Sequence, residues 1–179
     1  MRKTAEAVEA RFGRLHNLSM AVIALGMAGT AIVYVAPSSG HVPEMSFLDP
    51  RMLLFAGLSA LMLFYGALGI VRTLDRKPQV VIDRNGLLLR FGRFARLAWN
   101  DVQWVRLRRA GLRLQLQIGL TPEAFVKADL RLSSWNLDNG LKPVRGVPAA
   151  LVVSDNSLDT SATVLLDAVR RFRPNLVKP

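Results

Sequence analysis

Four arginines, Arg84, Arg90, Arg93 and Arg96, fall within thirteen consecutive residues. A guanidinium offers a planar fork of N–H donors that suits phosphate and carboxylate oxygens, so the chemistry open to this group is anion binding. A second set, Arg106, Arg108, Arg109 and Arg113, lies on adjacent strand-like segments. It carries no recognised nucleic-acid motif and few aromatic residues for base stacking, so a solvated or membrane-facing sheet surface fits it better than a nucleic-acid patch. Asp75, Asp83 and Asp101 are too scattered for a catalytic carboxylate pair. The absence of cysteine removes disulfides, thiolate catalysis and sulfur-ligated metals. The two histidines, His16 and His41, flank opposite ends of an apolar run, which disfavours zinc binding and histidine-based catalysis. No phosphate-cradling glycine loop, nucleophile elbow or metal-ligand spacing occurs. The expectation is a chain with no catalytic residue, no metal and no cofactor. Trp99, Trp104 and Trp135 read as core or interfacial anchors, Trp99 as core.

The elements that hold these residues begin with two apolar runs, 18–36 and 52–71, free of Asp, Glu, Lys, Arg and His. At about 1.5 Å rise per residue, each run as a helix spans roughly the ~30 Å hydrocarbon core of a bilayer. The spacing predicts a two-helix transmembrane hairpin over 17–71. The first run is longer than the usual core of a cleaved signal peptide, which favours an uncleaved span. Ion and proton pathways normally need an ionisable residue within a span, so transport by this chain alone is not expected. Gly26 and Thr30, and likewise Ala56 and Ala60, are four apart, a spacing that lets helix backbones approach closely.

Charge sets the expected orientation. The net charge is +11, and residues 72–179 hold 19 basic against 9 acidic side chains. Arg2, Lys3, Arg11 and Arg14 precede the first run and Arg72, Arg76 and Lys77 follow the second, whereas the intervening loop offers only Arg51. Lys and Arg accumulate on the cytoplasmic side, so both termini are expected in the cytoplasm. Residues 1–16 read as a cytoplasmic leader in the form of a short amphipathic helix, with Val8, Phe12 and Leu15 on one face. Such a helix would lie on the inner leaflet; a plain tail carrying orientation charge fits the same residues.

Beyond the spans, residues 78–179 read as one domain. Residues 79–83 and 87–91 are strands joined by a tight turn at Asn85 and Gly86. Residues 97–108 continue as strand, with imperfect alternation over 102–107 that predicts a bulge. Leu112, Leu114, Leu116 and Ile118 alternate with Arg113, Gln115 and Gln117, the pattern of a half-buried antiparallel strand. Residues 121–147, with Pro122, Gly140, Pro143 and Gly146, read as one or two short strands in loops, and 149–154 as another strand. A helix follows over 160–172, with Leu165, Val169 and Phe172 on one face, Asp159 or Thr160 as cap and Pro174 as stop. Strands followed by one helix predict an α+β fold: a curved antiparallel sheet or partial barrel capped by the C-terminal helix.

The order of two spans, a QVVIDRNGLLL hairpin, a LAWNDVQWV element, further strands and SLDTSATVLLDAVRRF resembles small bacterial membrane proteins with a cytoplasmic pleckstrin-homology-like domain. Trp99, Asp101 and Val102 are similar to a W-x-D-I pattern of that family, with Ala98 where many members have proline. The resemblance implies a multi-pass protein of the bacterial plasma membrane. It also implies that basic residues around the first hairpin, here Arg84, Arg90, Arg93 and Arg96, contact anionic phospholipid headgroups. Plain solvation accounts for the same residues. The partners this implies are the bilayer, its anionic headgroups and a membrane or cytoplasmic protein, with no nucleic acid. An accessory subunit using the hairpin as its interface is the alternative; a membrane enzyme is disfavoured.

Overall fold

The computed structural model describes residues 7–35, 50–90, 95–111, 113–129, 140–144 and 147–178. The chain divides into two compact units. One is Arg14–Asp75; the other joins Met1–Gly13 to Arg76–Pro179.

The first unit is a helical hairpin, α1 (Arg14–Val35) and α2 (Pro50–Leu74). The uncharged runs leave nothing to interrupt a helix, and both helices extend a few residues past the apolar runs into polar flanks. The stretches Arg14–Val33 and Met52–Leu74 are long and apolar enough to cross a membrane. A core helix of a soluble protein would be mostly buried; here only 22% and 11% of the most apolar windows are covered. Val22, Ile23, Val33, Leu53, Leu54 and Val71 are all more than half exposed. Thr30 and Thr73 donate their hydroxyl protons to the carbonyls of Gly26 and Gly69, at 2.9 and 2.7 Å, which satisfies them within the helix.

The two helices meet along small residues, though not those the spacing singles out. Ala21, Ala24 and Ala28 are buried in α1, and Gly66 and Gly69 in α2. A Cβ on Gly69 would lie 2.7 Å from the Asn17 carbonyl oxygen and 2.9 Å from the Ala21 Cβ. Gly26 has nothing within 4 Å of its Cβ position, and Thr30, Ala56 and Ala60 are exposed. Small residues recur on several faces of these helices, so their spacing alone does not select the packed face.

The second unit is α+β, built from two antiparallel four-stranded sheets. The first has the order β1 (Val8–Ala10), β2 (Val80–Asp83), β3 (Gly86–Leu89), β4 (Ala95–Ala98). Its first strand corrects the amphipathic-helix expectation for the leader. Val8 pairs with Ile82, Glu9 with Val81 and Ala10 with Val80. Phe12 continues the line by bridging to Leu158. Val8 and Phe12 are four apart, a spacing common to a helix face and to every second position of a strand. Ala10 between them decides the matter: it is fully buried in the same core. Glu9 and Arg11 point the other way and form an ion pair at 3.0 Å.

The β2–β3 turn forms as its Asn-Gly dipeptide dictates. The Asp83 Oδ1 accepts from the amides of Asn85 and Gly86 at 2.7 and 3.1 Å, and Gly86 takes φ +139°. A 3-10 turn, Trp99–Asp101, then breaks the ladder and carries the chain into the second sheet. Trp99 is buried, donates its indole proton to the Asp83 carbonyl at 3.1 Å and stacks near Phe172, as expected of a core residue.

The second sheet has the order β5 (Val102–Ala110), β6 (Arg113–Leu120), β8 (Val147–Ser154), β7 (Gly140–Val144). The bulge lies between Val102 and Trp104. Neither sheet closes into a barrel: each ends at its own edge strands. Between Thr121 and β7 the structure departs from the strands expected there. Pro122–Asp129 is a helix, α3, with the Thr121 hydroxyl accepting from the Ala124 amide at 3.2 Å. Pro122 opens it at the position where a missing N–H costs nothing. Residues 130–139, with Trp135, lie outside the described residues.

The C-terminal helix α4 (Ala162–Phe172) buries Ala162, Leu165, Leu166 and Val169, a stripe at helical spacing. It packs on β5, β6 and β2, and so covers both sheets. Its cap is Ser161, whose hydroxyl accepts from the Val164 amide. Asp159 instead accepts from the Arg11 amide at 2.8 Å and from the Thr160 hydroxyl. Ile82, Leu87, Leu89, Leu116, Ile118, Leu151 and Leu165 form the centre of the core. The chain end closes one sheet edge: Val177 bridges Val105 and the Lys178 amide donates to the Val105 carbonyl at 2.9 Å.

Candidate functional site

Of the four arginines around the first hairpin, the three within the described residues, Arg84, Arg90 and Arg96, do not converge. Arg84 sits exposed in the β2–β3 turn. Arg90 follows β3 at the opposite end of the sheet, where its amide donates to the Gln79 carbonyl at 2.9 Å. Four strand residues separate the two ends, roughly 10 Å or more of rise. Arg96 is on β4 and pairs with the Asp83 carboxylate at 2.6 Å. That carboxylate also holds the turn amides, so the Arg96 charge is offset where it stands. Arg93 lies outside the described residues. A headgroup clamp needs several donors aimed at one phosphate; Arg84 and Arg90 are at opposite ends and Arg96 already has an anion.

The second arginine set is arranged differently. Arg106, Arg108, Arg109 and Arg113 all belong to the β5–β6 hairpin, where Arg106 pairs with Gln117, Arg108 with Gln115 and Ala110 with Arg113. Gly111 turns the hairpin at φ +63°, a conformation open to glycine at little cost. Arg106 is committed to the sheet. Its Nε donates to the Gln117 Oε1 at 3.0 Å and its guanidinium carbon stands 4.8 Å from the centre of the Trp104 ring. Trp104 in turn lies flat over Gly119, leaving no room for a Cβ there, and packs against Ala150 and Val152. Arg108, Arg109 and Arg113 are exposed. Among the described residues, Arg108 and Arg109 form no ion pair.

The hairpin is thus the more concentrated cationic surface, and its sequence signal is plain: no Asp or Glu occurs from Val102 to Pro122. Its place in the sheet depends on pairings with β8, forty residues later, which local spacing does not reveal. Among the described residues, no three His, Asp or Glu side chains gather as a metal site would require.

Comparison of the chain with protein-family models, curated proteins and solved structures found no match.

Proposed function

We propose that this chain is a two-span protein of the bacterial plasma membrane, with both termini in the cytoplasm. It presents a non-catalytic, pleckstrin-homology-like domain at the inner face to bind a protein partner, anionic phospholipid headgroups or both. The observation that carries this reading is the pairing of β1 with β2. One strand precedes the helical hairpin and the other follows it, which supports placing the two flanks in one compartment. A shared compartment suits two crossings. The excess of Lys and Arg in the flanks favours the cytoplasm for that compartment. Two open antiparallel sheets bridged by a C-terminal amphipathic helix support the pleckstrin-homology-like assignment. Tethering makes a weakly binding domain useful, because it raises the local concentration of its targets.

The accessory-subunit reading draws on a separate observation. An apolar groove on the hairpin, open on its outer side, is lined by Val22, Gly26, Met27, Ala31 and Phe55, the kind of surface against which membrane helices pack.

The test uses the absence of native cysteine. Single cysteines replace Gly40, between the runs, and Asn85, in the β2–β3 turn, of the full chain in intact cells. An impermeant maleimide should label position 40 from outside and position 85 only after lysis. Labelling of position 85 from outside would refute the orientation, and labelling of both positions from one side would refute the double crossing.

A further inference from the structure

We propose that the tip of the β5–β6 hairpin is the element that touches anionic phospholipid, with Arg108 and Arg109 as the contacting side chains; this rests on the membrane reading above. Strand register places that tip. β8 pairs with β6 as far as Gln115 and Ser154 and then ends. The β5–β6 ladder runs on through Arg109 with Leu114 and Ala110 with Arg113, so the hairpin overshoots its sheet. From Ser154 three residues lead to Ser157, whose carbonyl accepts from the Gly13 amide at 2.9 Å. Three residues reach at most about 10 Å. Gly13 immediately precedes α1. The overshooting tip therefore stands at the end of the domain from which the chain departs for the first span.

The first sheet identifies the same end. The Ala10 carbonyl accepts from the Gln79 amide, and the Gln79 carbonyl from the Arg90 amide. Exposed Arg76 lies three residues before Gln79 and two after the end of α2. Cations from three separate segments, Arg76, Arg90 and the hairpin tip, thus share the end of the domain at which the chain leaves for α1 and returns from α2. Asp155 and Asp159 lie at this end too, and their oxygens face the amides of Ala162 and Arg11. Of the other exposed arginines, Arg11, Arg96 and Arg170 have an anion beside them, Glu9, Asp83 and Asp167 respectively, while Arg84 at the far turn and Arg171 and Arg173 at the end of α4 form no ion pair among the described residues. Among the described residues Arg108 and Arg109 have none. An anionic leaflet supplies the missing counter-charge to basic residues held at its surface.

The experiment uses the full chain in nanodiscs of phosphatidylcholine alone, or of equal parts phosphatidylcholine and phosphatidylglycerol. A nitroxide is placed on A110C, with N85C at the far turn as reference and R90C as a second position at the near end. The expected result is a several-fold loss of accessibility to a water-soluble nickel chelate at A110C in the phosphatidylglycerol discs, no change at N85C, and recovery with R108Q/R109Q or high salt. Equal accessibility of A110C in both discs overturns the hairpin assignment. If R90C alone is then protected by phosphatidylglycerol, lipid contact stands and only its location is wrong. If the chain does not enter discs at all, the membrane reading itself fails. Protection of A110C by added duplex DNA, with none from phosphatidylglycerol, also overturns the proposal.

Discussion

Substitution of Ala10 by aspartate tests whether the leader strand belongs to the domain. Ala10 has no exposed surface and packs in the same core as Ile82 and Leu89. A carboxyl held there would have its pKa raised by about 3–5 units through desolvation, to neutral pH or above, so at pH 7 it is held largely protonated at a cost of roughly 4 kcal/mol, 1.36 kcal/mol for each of the about three units between its free pKa and pH 7. β1 is a three-residue edge strand, so it can escape that cost by detaching. The measured loss is then the smaller of the two quantities, the burial cost or the docking free energy of β1 with Phe12. Either outcome lowers the stability of the domain by at least about 1 kcal/mol, which moves the melting midpoint by about 4 °C or more. Detachment has its own signature. The Arg11 amide and carbonyl are both bonded to Asp159 at 2.8 Å, so trypsin should cut after Arg11 slowly in the parent chain and rapidly in A10D. Amide exchange at Gln79, which donates to the Ala10 carbonyl, should quicken in parallel. A7D, at an exposed position, is the control. Unchanged melting, trypsin cleavage and Gln79 exchange in detergent-solubilised A10D would refute the composite sheet and, with it, the inference that both flanks share one compartment.

Two further outcomes follow from packing and turn geometry. G69I should destabilise the helical hairpin by about 1–3 kcal/mol, since its side chain meets the Asn17 carbonyl and Ala21, while G26I, facing open space, should be near neutral; thermal unfolding in one detergent compares them. D83A should cost more than R96A, because Asp83 holds two turn amides as well as the ion pair, whereas the half-exposed pair alone is worth about 1 kcal/mol or less; chemical denaturation ranks the two.

What could be read in advance was what neighbouring residues decide among themselves. The two apolar helices, the Asn-Gly turn, the bulge at Val102–Trp104, the alternating strand β6 and the stripe of α4 each carry their cause within a few residues. The segment Val8–Phe12 did not, because its spacing serves two periods and its partner lies seventy residues away across the helical hairpin. Thr121 and Pro122 are an N-cap and a first helical position, yet proline and the nearby glycines read equally as loop punctuation. The arginines show the same limit at the level of the site. Proximity in sequence groups Arg84 with Arg90, but a strand's length and an acidic partner for Arg96 disperse them. The β5–β6 cations are gathered by a ladder whose end is set by β8.

The split sheet has a consequence for biogenesis. β1 leaves the ribosome first and its partner β2 about seventy residues later, some 4–14 s at ordinary elongation rates. On the two-crossing reading proposed above, the nascent leader has nowhere to dock until both helices are threaded. A polypeptide in which only one helix inserted would strand β1 and β2 in opposite compartments and leave the domain short of a strand, its β2 edge bare to quality-control proteases. On that reading, completion of the fold would act as a proofreading step for insertion, enforced by geometry without a dedicated factor.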